Sequence, residues 1–189
     1  MNREHKPLVI LDRDGVINRD SDEYIKSPEE WIPIPGSIEA IARLHRAGYT
    51  LAVATNQSGI GRGLYDETTL ERIHQRMHGE IERAGGRLAG IVHCPHRPDE
   101  GCDCRKPGTG LLRRINAELG LAVEDAWMVG DSLRDLQCAQ AGGCRPVLVR
   151  TGNGAATLDA GLPQELVSVP VFDDLQAFAG FLTGQGASS

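Results

Sequence analysis

Residues 8–18, LVILDRDGVIN, constrain this chain more than any other stretch. Leu8 to Leu11 form an unbroken apolar run, and Asp12, Arg13, Asp14 and Gly15 follow at once. A short apolar run that ends in a turn signal reads as a buried strand stopping at its carboxyl end. Side chains at i and i+2 of an extended backbone project to the same side, so Asp12 and Asp14 can face one pocket. Carboxylates that close raise each other's pKa unless a cation or hydrogen-bond donors offset the repulsion. A divalent metal ion is therefore expected at this strand end.

The rest of the chain alternates between two periods. TLAVAT (50–55), LAGIVH (88–93), AWMVG (126–130) and RPVLVRTG (145–152) read as strands, with one more around 167–171. Behind Gly36 and Ser37, Ile38, Ile41, Ala42 and Leu44 recur at helical spacing and stop at Gly48. Asp66 is a good N-cap for a helix with Leu70, Ile73, Met77 and Ile81 on one face. Further helices are expected over 108–119, after a cap at Asp131 or Ser132, and over 174–182. The polar segment 19–35 reads as a loop that folds over the first strand's end, and GQGASS as a fraying tail. Such alternation predicts right-handed βαβ units: an α/β fold with a doubly wound, mostly parallel sheet and its ligand outside the strands' carboxyl ends. With 189 residues and neither repeat nor linker, one domain over 1–189 is expected.

Charge and hydropathy narrow the partners. The net charge is −6 and no basic stripe is present, which argues against nucleic acid. No run approaches the roughly 18 apolar residues of a membrane span, and MNREHKPLVI has no long apolar core of a secretory signal. A cytoplasmic monomer without nucleic-acid or membrane partners is the expectation. One anionic metabolite stays possible, because a metal and one or two cationic side chains can reverse the local field.

Four places next to strand ends carry polar groups of different kinds: Asp12 and Asp14, Thr55 and Asn56, Lys106, and Asp131. Asp12, Asp131 and a backbone carbonyl near Asp14 are hard oxygen ligands that suit magnesium. The Thr55 hydroxyl and Lys106 suit phosphoryl oxygens on which charge builds up. Asp12 is then a candidate nucleophile forming an aspartyl phosphate, and Asp14 a candidate general acid and base. Taken singly, a D-x-D is a turn and a G-D-S a helix cap. Their ordered recurrence at strand ends is what points to phosphoryl transfer.

Cys94-x-His96-x5-Cys102-x-Cys104 is a complete ligand set for structural zinc; the plain alternative is a cluster of reduced thiols without metal. This zinc loop, 94–104, would pin Arg105 and Lys106 beside the phosphate. His74 and His78, at i and i+4, read as a solvated helix face. Trp31 and Trp127 read as core or loop anchors, Cys138 and Cys144 as ordinary thiols.

DRDGVIN, ATNQSG, CRKP and GDSLRD, together spanning 8–135, resemble in order and strand context the four motifs of the haloacid dehalogenase-like phosphatases. The resemblance implies that family's Rossmann-like fold, without a full cap domain. It makes Asp12 the nucleophile, Asp14 the acid and base, Thr55 and Lys106 the phosphate holders, Asp131 a magnesium ligand and Asp135 an acidic residue behind it. The zinc loop resembles that of members acting on a heptose bisphosphate or on histidinol phosphate. TNQSGIGRG and DEYIKSPEEWIPIPGS look more like the former. That likeness implies removal of the 7-phosphate of D-glycero-D-manno-heptose 1,7-bisphosphate in the synthesis of a lipopolysaccharide-core precursor, ADP-heptose. It also implies Arg105 and Lys106 on phosphoryl oxygens, Asn56, Gln57 and Ser58 lining the pocket, and residues 20–24, Asp20 among them, reaching over the sugar. The rival expectations are a histidinol-phosphate phosphatase and a non-catalytic, zinc-stabilised binding module.

Overall fold

The computed structural model describes residues 7–184, so all but the first residue of the expected fraying tail lies outside the described residues. Six parallel strands form one sheet: β1 (Leu8–Leu11), β2 (Thr50–Asn56), β3 (Gly90–Cys94), β4 (Trp127–Gly130), β5 (Arg145–Val149) and β6 (Val171–Phe172). Their order is β3-β2-β1-β4-β5-β6. The direction of winding reverses between β1 and β4, which pair directly, Val9 against Trp127 and Leu11 against Val129. A crevice opens at the carboxyl ends of the strands where the winding reverses.

Burial on both faces explains why the strands read as continuous apolar runs. Val9 and Leu11 point into one layer, with Leu51, Val53, Val129 and Val147, beneath α1 (Ser37–Arg46), α2 (Glu67–Arg83) and α6 (Leu175–Leu182). Leu8 and Ile10 point into the other, with Ala52, Ala54, Val92 and Met128, beneath α3 (Gly110–Leu119) and α4 (Leu133–Ala141). Helix starts are fixed locally. The Asp66 carboxylate accepts from Thr69 N at 2.8 Å, and Ser132 and Asp135 form a capping box at α4.

Several boundaries differ from the sequence reading. β5 ends at Val149 instead of running to Gly152, because the chain turns at Thr151–Gly152 and Thr151 Oγ1 donates to the Gly15 carbonyl at 2.7 Å. A short helix, α5 (Gly154–Asp159), then follows where none was expected. The last strand lies at Val171–Phe172, not at 167–171; a 3-10 turn occupies Gln164–Leu166 and Val167 is exposed. Trp31 is fully buried in the core.

Candidate active site

β1 delivers Asp12 to the crevice and β4 delivers Asp131 beside it, a placement locked by Asp12 N donating to the Val129 carbonyl at 2.9 Å. The space between them tolerates no extra atoms. A Cβ on Gly15 (φ +82°) or on Gly152 (φ +58°) would run into the Asp131 carboxylate, and only glycine combines that positive φ with no side chain.

A buried cation organises the floor. Lys106 Nζ lies 3.0 Å from Asp12 Oδ1 and 2.6 Å from Asp135 Oδ1, and donates to the Ala54 carbonyl at 2.9 Å. Asn56 clasps the Lys106 backbone, accepting from its N at 3.0 Å and donating to its O at 3.2 Å. Burial disfavours the ammonium, yet Asp12 and Asp135 outweigh it and hold the lysine charged, above its usual range. Burial likewise opposes the Asp135 carboxylate, but Lys106 and the Ser132 hydroxyl, which donates to Oδ2 at 2.6 Å, hold its pKa below the ordinary value.

Asp12 and Asp131 are less well served. Burial raises both carboxyls; Lys106 opposes the rise at Asp12, while Asp135 adds to it at each and takes Asp131 to about 7. Oxygens of Asp12, Asp131 and Asp135 lie within 4.8 Å of one another. Asp135 Oδ1, though beside Lys106, makes no hydrogen bond of ordinary geometry. Three clustered carboxylates with one ammonium among them leave negative charge uncompensated, and a hard divalent cation fits that donor set.

Asp14 faces the same cavity, clamped by Arg13, Asn18 and Gln57. The cavity measures about 360 Å³ and is also lined by Asp20, Ser21, Asp22, Tyr24, Asn56, Gln57, Ser58, Arg105 and Lys106, so nearly every residue named from the sequence for catalysis or substrate binding meets there. Thr55 is the exception: it is fully buried, outside the lining, and its Oγ1 accepts from Gln57 Nε2 at 2.9 Å. A second hollow of about 420 Å³ lies at the opposite end of the strands, around Leu8, Thr50 and Trp127, away from all of this chemistry.

Sequence reasoning missed three contributors. Asn153 donates from its backbone to Asp131 Oδ2 at 2.8 Å and from its side chain to Asp20 Oδ2 at 2.9 Å, tying the loop after β1 to the metal-ligand candidate. Its signal was the T-G-N behind a strand end, hidden when β5 was extended through Gly152. Arg62 and Arg134 also line the cavity, and nothing local marks either one.

The cysteine cluster is assembled beside the cavity. Cys94 Sγ lies 3.5 Å from His96 Nδ1 and 3.6 Å from Cys102 Sγ, and Cys104 Sγ lies 3.2 Å from His96 Nδ1 and 3.0 Å from Cys94 Sγ. A tetrahedral zinc with Zn–S bonds of about 2.3 Å sets sulfur–sulfur edges of about 3.8 Å, so the four donors fit with small outward shifts. Arg105 Nη1 donates to the His96 carbonyl at 3.3 Å, which links the loop to the cavity. His74, in contrast, is no solvated residue: it is half-buried with Nε2 3.3 Å from Arg13 Nη1, while His78 pairs with Glu82 on the helix surface.

Residues 103–177 match the HAD-hydrolase-like family model. A Pseudomonas aeruginosa D-glycero-beta-D-manno-heptose-1,7-bisphosphate 7-phosphatase is 56% identical over 177 residues, 94% of this chain and 98% of that protein. The chain belongs to this heptose-bisphosphate phosphatase family. The Bordetella bronchiseptica member of the family is 52% identical over 91% of this chain and 95% of its own length. A crystal structure of D,D-heptose 1,7-bisphosphate phosphatase from that organism, complexed with magnesium and phosphate, superposes with a TM-score of 0.88 at 50% identity, covering 95% of this chain and 99% of that one. The Burkholderia thailandensis enzyme gives 0.71 at 47% identity, covering 94% and 99%. The chain is thus a phosphatase with the six-stranded parallel sheet of its family.

Proposed function

We propose that the chain removes the 7-phosphate of heptose 1,7-bisphosphate by transferring it to Asp12 and then to water. The observation that carries this reading is the charge layout of one cavity. Clustered carboxylates and Lys106 form its floor, and Arg62, Arg105 and Arg134 line the same cavity. Among the described residues none of these arginines forms a salt bridge; burial, Arg134 and Arg62 all push Arg105 below its usual range. Arg62 and Arg134, cations without an ion pair among the described residues, suit a second phosphate distant from the one that reacts.

In the first step an Asp12 oxygen attacks phosphorus, the phosphorus–oxygen bond to the sugar breaks, and Asp14 protonates the departing oxygen. In the second, Asp14 takes a proton from water, which attacks phosphorus and frees Asp12. Lys106 and Arg105 offset charge on the phosphoryl oxygens throughout. Magnesium, held by Asp12, Asp131 and the Asp14 carbonyl, would supply the positive charge the carboxylates lack and polarise the phosphoryl group. Zinc held by Cys94, His96, Cys102 and Cys104 would be structural and would keep Arg105 and Lys106 at the cavity.

The compartment proposed is the cytoplasm, the form a monomer, and the pathway lipopolysaccharide-core precursor synthesis. No helix among the described residues is long and apolar enough to cross a membrane. Steady-state kinetics on heptose 1,7-bisphosphate and histidinol phosphate test the substrate: the bisphosphate should be turned over far better, and comparable or better hydrolysis of histidinol phosphate overturns the assignment. Asp12→Asn should abolish turnover of either; retained activity would refute the covalent route.

A further inference from the structure

Arg13 separates the two carboxylates of the site and is itself completely buried. Its Nε and Nη2 donate to Asp14 Oδ1 at 3.0 and 2.8 Å, and Nη2 reaches Oδ2 at 3.0 Å. Nη2 also donates to Gln57 Oε1 at 3.1 Å, and Gln57 turns its Nε2 back onto Asp14 Oδ2 at 2.8 Å. The Tyr65 hydroxyl braces the same Gln57 oxygen at 2.7 Å. That leaves Nη1, which lies 3.3 Å from Nε2 of His74 on α2. A guanidinium has only N–H donors, so Nε2 must carry the lone pair, Nδ1 the hydrogen, and the ring no charge.

We infer that His74 is a positioning residue for proton transfer: its Nε2 fixes the rotation of the Arg13 guanidinium, and Arg13 holds the Asp14 carboxyl against the cavity where the leaving oxygen must sit. A planar fork transmits orientation well, because turning one terminal nitrogen turns the other two with it. Burial first, then Arg13 and His93, hold the His74 pKa at about 3, so the acceptor lone pair persists through the neutral range. The inference rests on the reading of Asp14 as general acid and base.

The test uses two leaving groups. A sugar alkoxide leaves poorly and needs the proton from Asp14, whereas p-nitrophenolate leaves without one. Because kcat/KM counts only steps through the first irreversible one, it isolates phosphoryl transfer to Asp12 from the later work of Asp14 as a base. Asp14→Asn should lower kcat/KM for heptose bisphosphate by about 100-fold and for p-nitrophenyl phosphate by far less. His74→Leu should lower the first about tenfold and the second no more than about twofold, while His74→Gln, whose amide oxygen still accepts, stays near wild type for both. If Asp14→Asn falls equally on both substrates, the reading of Asp14 is wrong. If Asp14→Asn discriminates and His74→Leu does not, the His74 inference is overturned. Should His74→Leu fail to fold, Arg13→Lys carries the same test: it keeps the charge and loses the fork, the same discrimination is expected, and equal losses on both substrates overturn the inference.

Discussion

His74 also makes the protein acid-sensitive in a way that can be isolated. Its folded pKa of about 3 lies below the ordinary 6.5, because burial and the neighbouring Arg13 and His93 oppose a charged ring. Above pH 6.5 neither folded nor unfolded chain binds a proton there. Below it the unfolded chain takes up a proton that the fold refuses, so stability is lost progressively as pH falls from 6.5 toward 3. At pH 5.5 this amounts to about 1 kcal/mol, a figure reduced for a ring that is not wholly buried. Urea unfolding at pH 7 and 5.5 should show His74→Gln losing less stability than wild type by about that amount; equal losses would refute the linkage. At the same scale the meeting of Asp12, Asp14, Lys106 and Asp131 in one cavity was legible because each follows a strand or a motif. His74 was not, since its partner Arg13 is 61 residues away and an i,i+4 histidine pair says nothing about what packs across the helix.

Elements bring these residues together by stopping in the right places. β1 was readable because both its faces are covered: Val9 and Leu11 fill one layer, Leu8 and Ile10 the other, and no alternation with polar residues is left. α5 was not readable, because six residues beginning at Gly154 carry too little periodicity to register, and the turn at Gly152 was absorbed into β5. The cysteine loop was readable as a ligand set, and the structure adds what it holds. Arg105 donates to the carbonyl of His96, and Lys106 is clasped by Asn56 and by its buried carboxylates. Metal analysis of protein purified without added metal should find about one zinc per chain. Cys102→Ser should lose that zinc and lower kcat/KM for the bisphosphate about 10–100-fold, with little change in far-ultraviolet circular dichroism. Full activity in a zinc-free variant would show that the loop does not position Arg105 and Lys106.

Across the whole molecule, strand order and charge distribution answer different questions. The order β3-β2-β1-β4-β5-β6 places the crevice where Asp12 and Asp131 emerge side by side; alternating strands and helices were enough to anticipate a parallel sheet with its ligand at the strands' carboxyl ends, but not that order. Recognition of an anion by a chain of net charge −6 was legible only in part, at Arg105 and Lys106 behind the cysteine loop. On the proposed reading a second phosphate would meet Arg62 from the loop after β2 and Arg134 from the start of α4, two residues that only the fold brings to one cavity. An anion bound between them would offset their charge, so on that reading their contribution belongs to binding more than to the chemical step. Arg134 is exposed and touches none of the carboxylates of the floor through an ion pair among the described residues, which makes it the cleanest probe. Arg134→Gln should raise KM for heptose 1,7-bisphosphate about tenfold, the worth of one charged hydrogen bond, and leave kcat within about twofold. For p-nitrophenyl phosphate, which has no second phosphate, KM should move little. Equal increases in KM for the two substrates would show that Arg134 serves the reacting phosphate, and the distal-phosphate assignment of the arginines would fall.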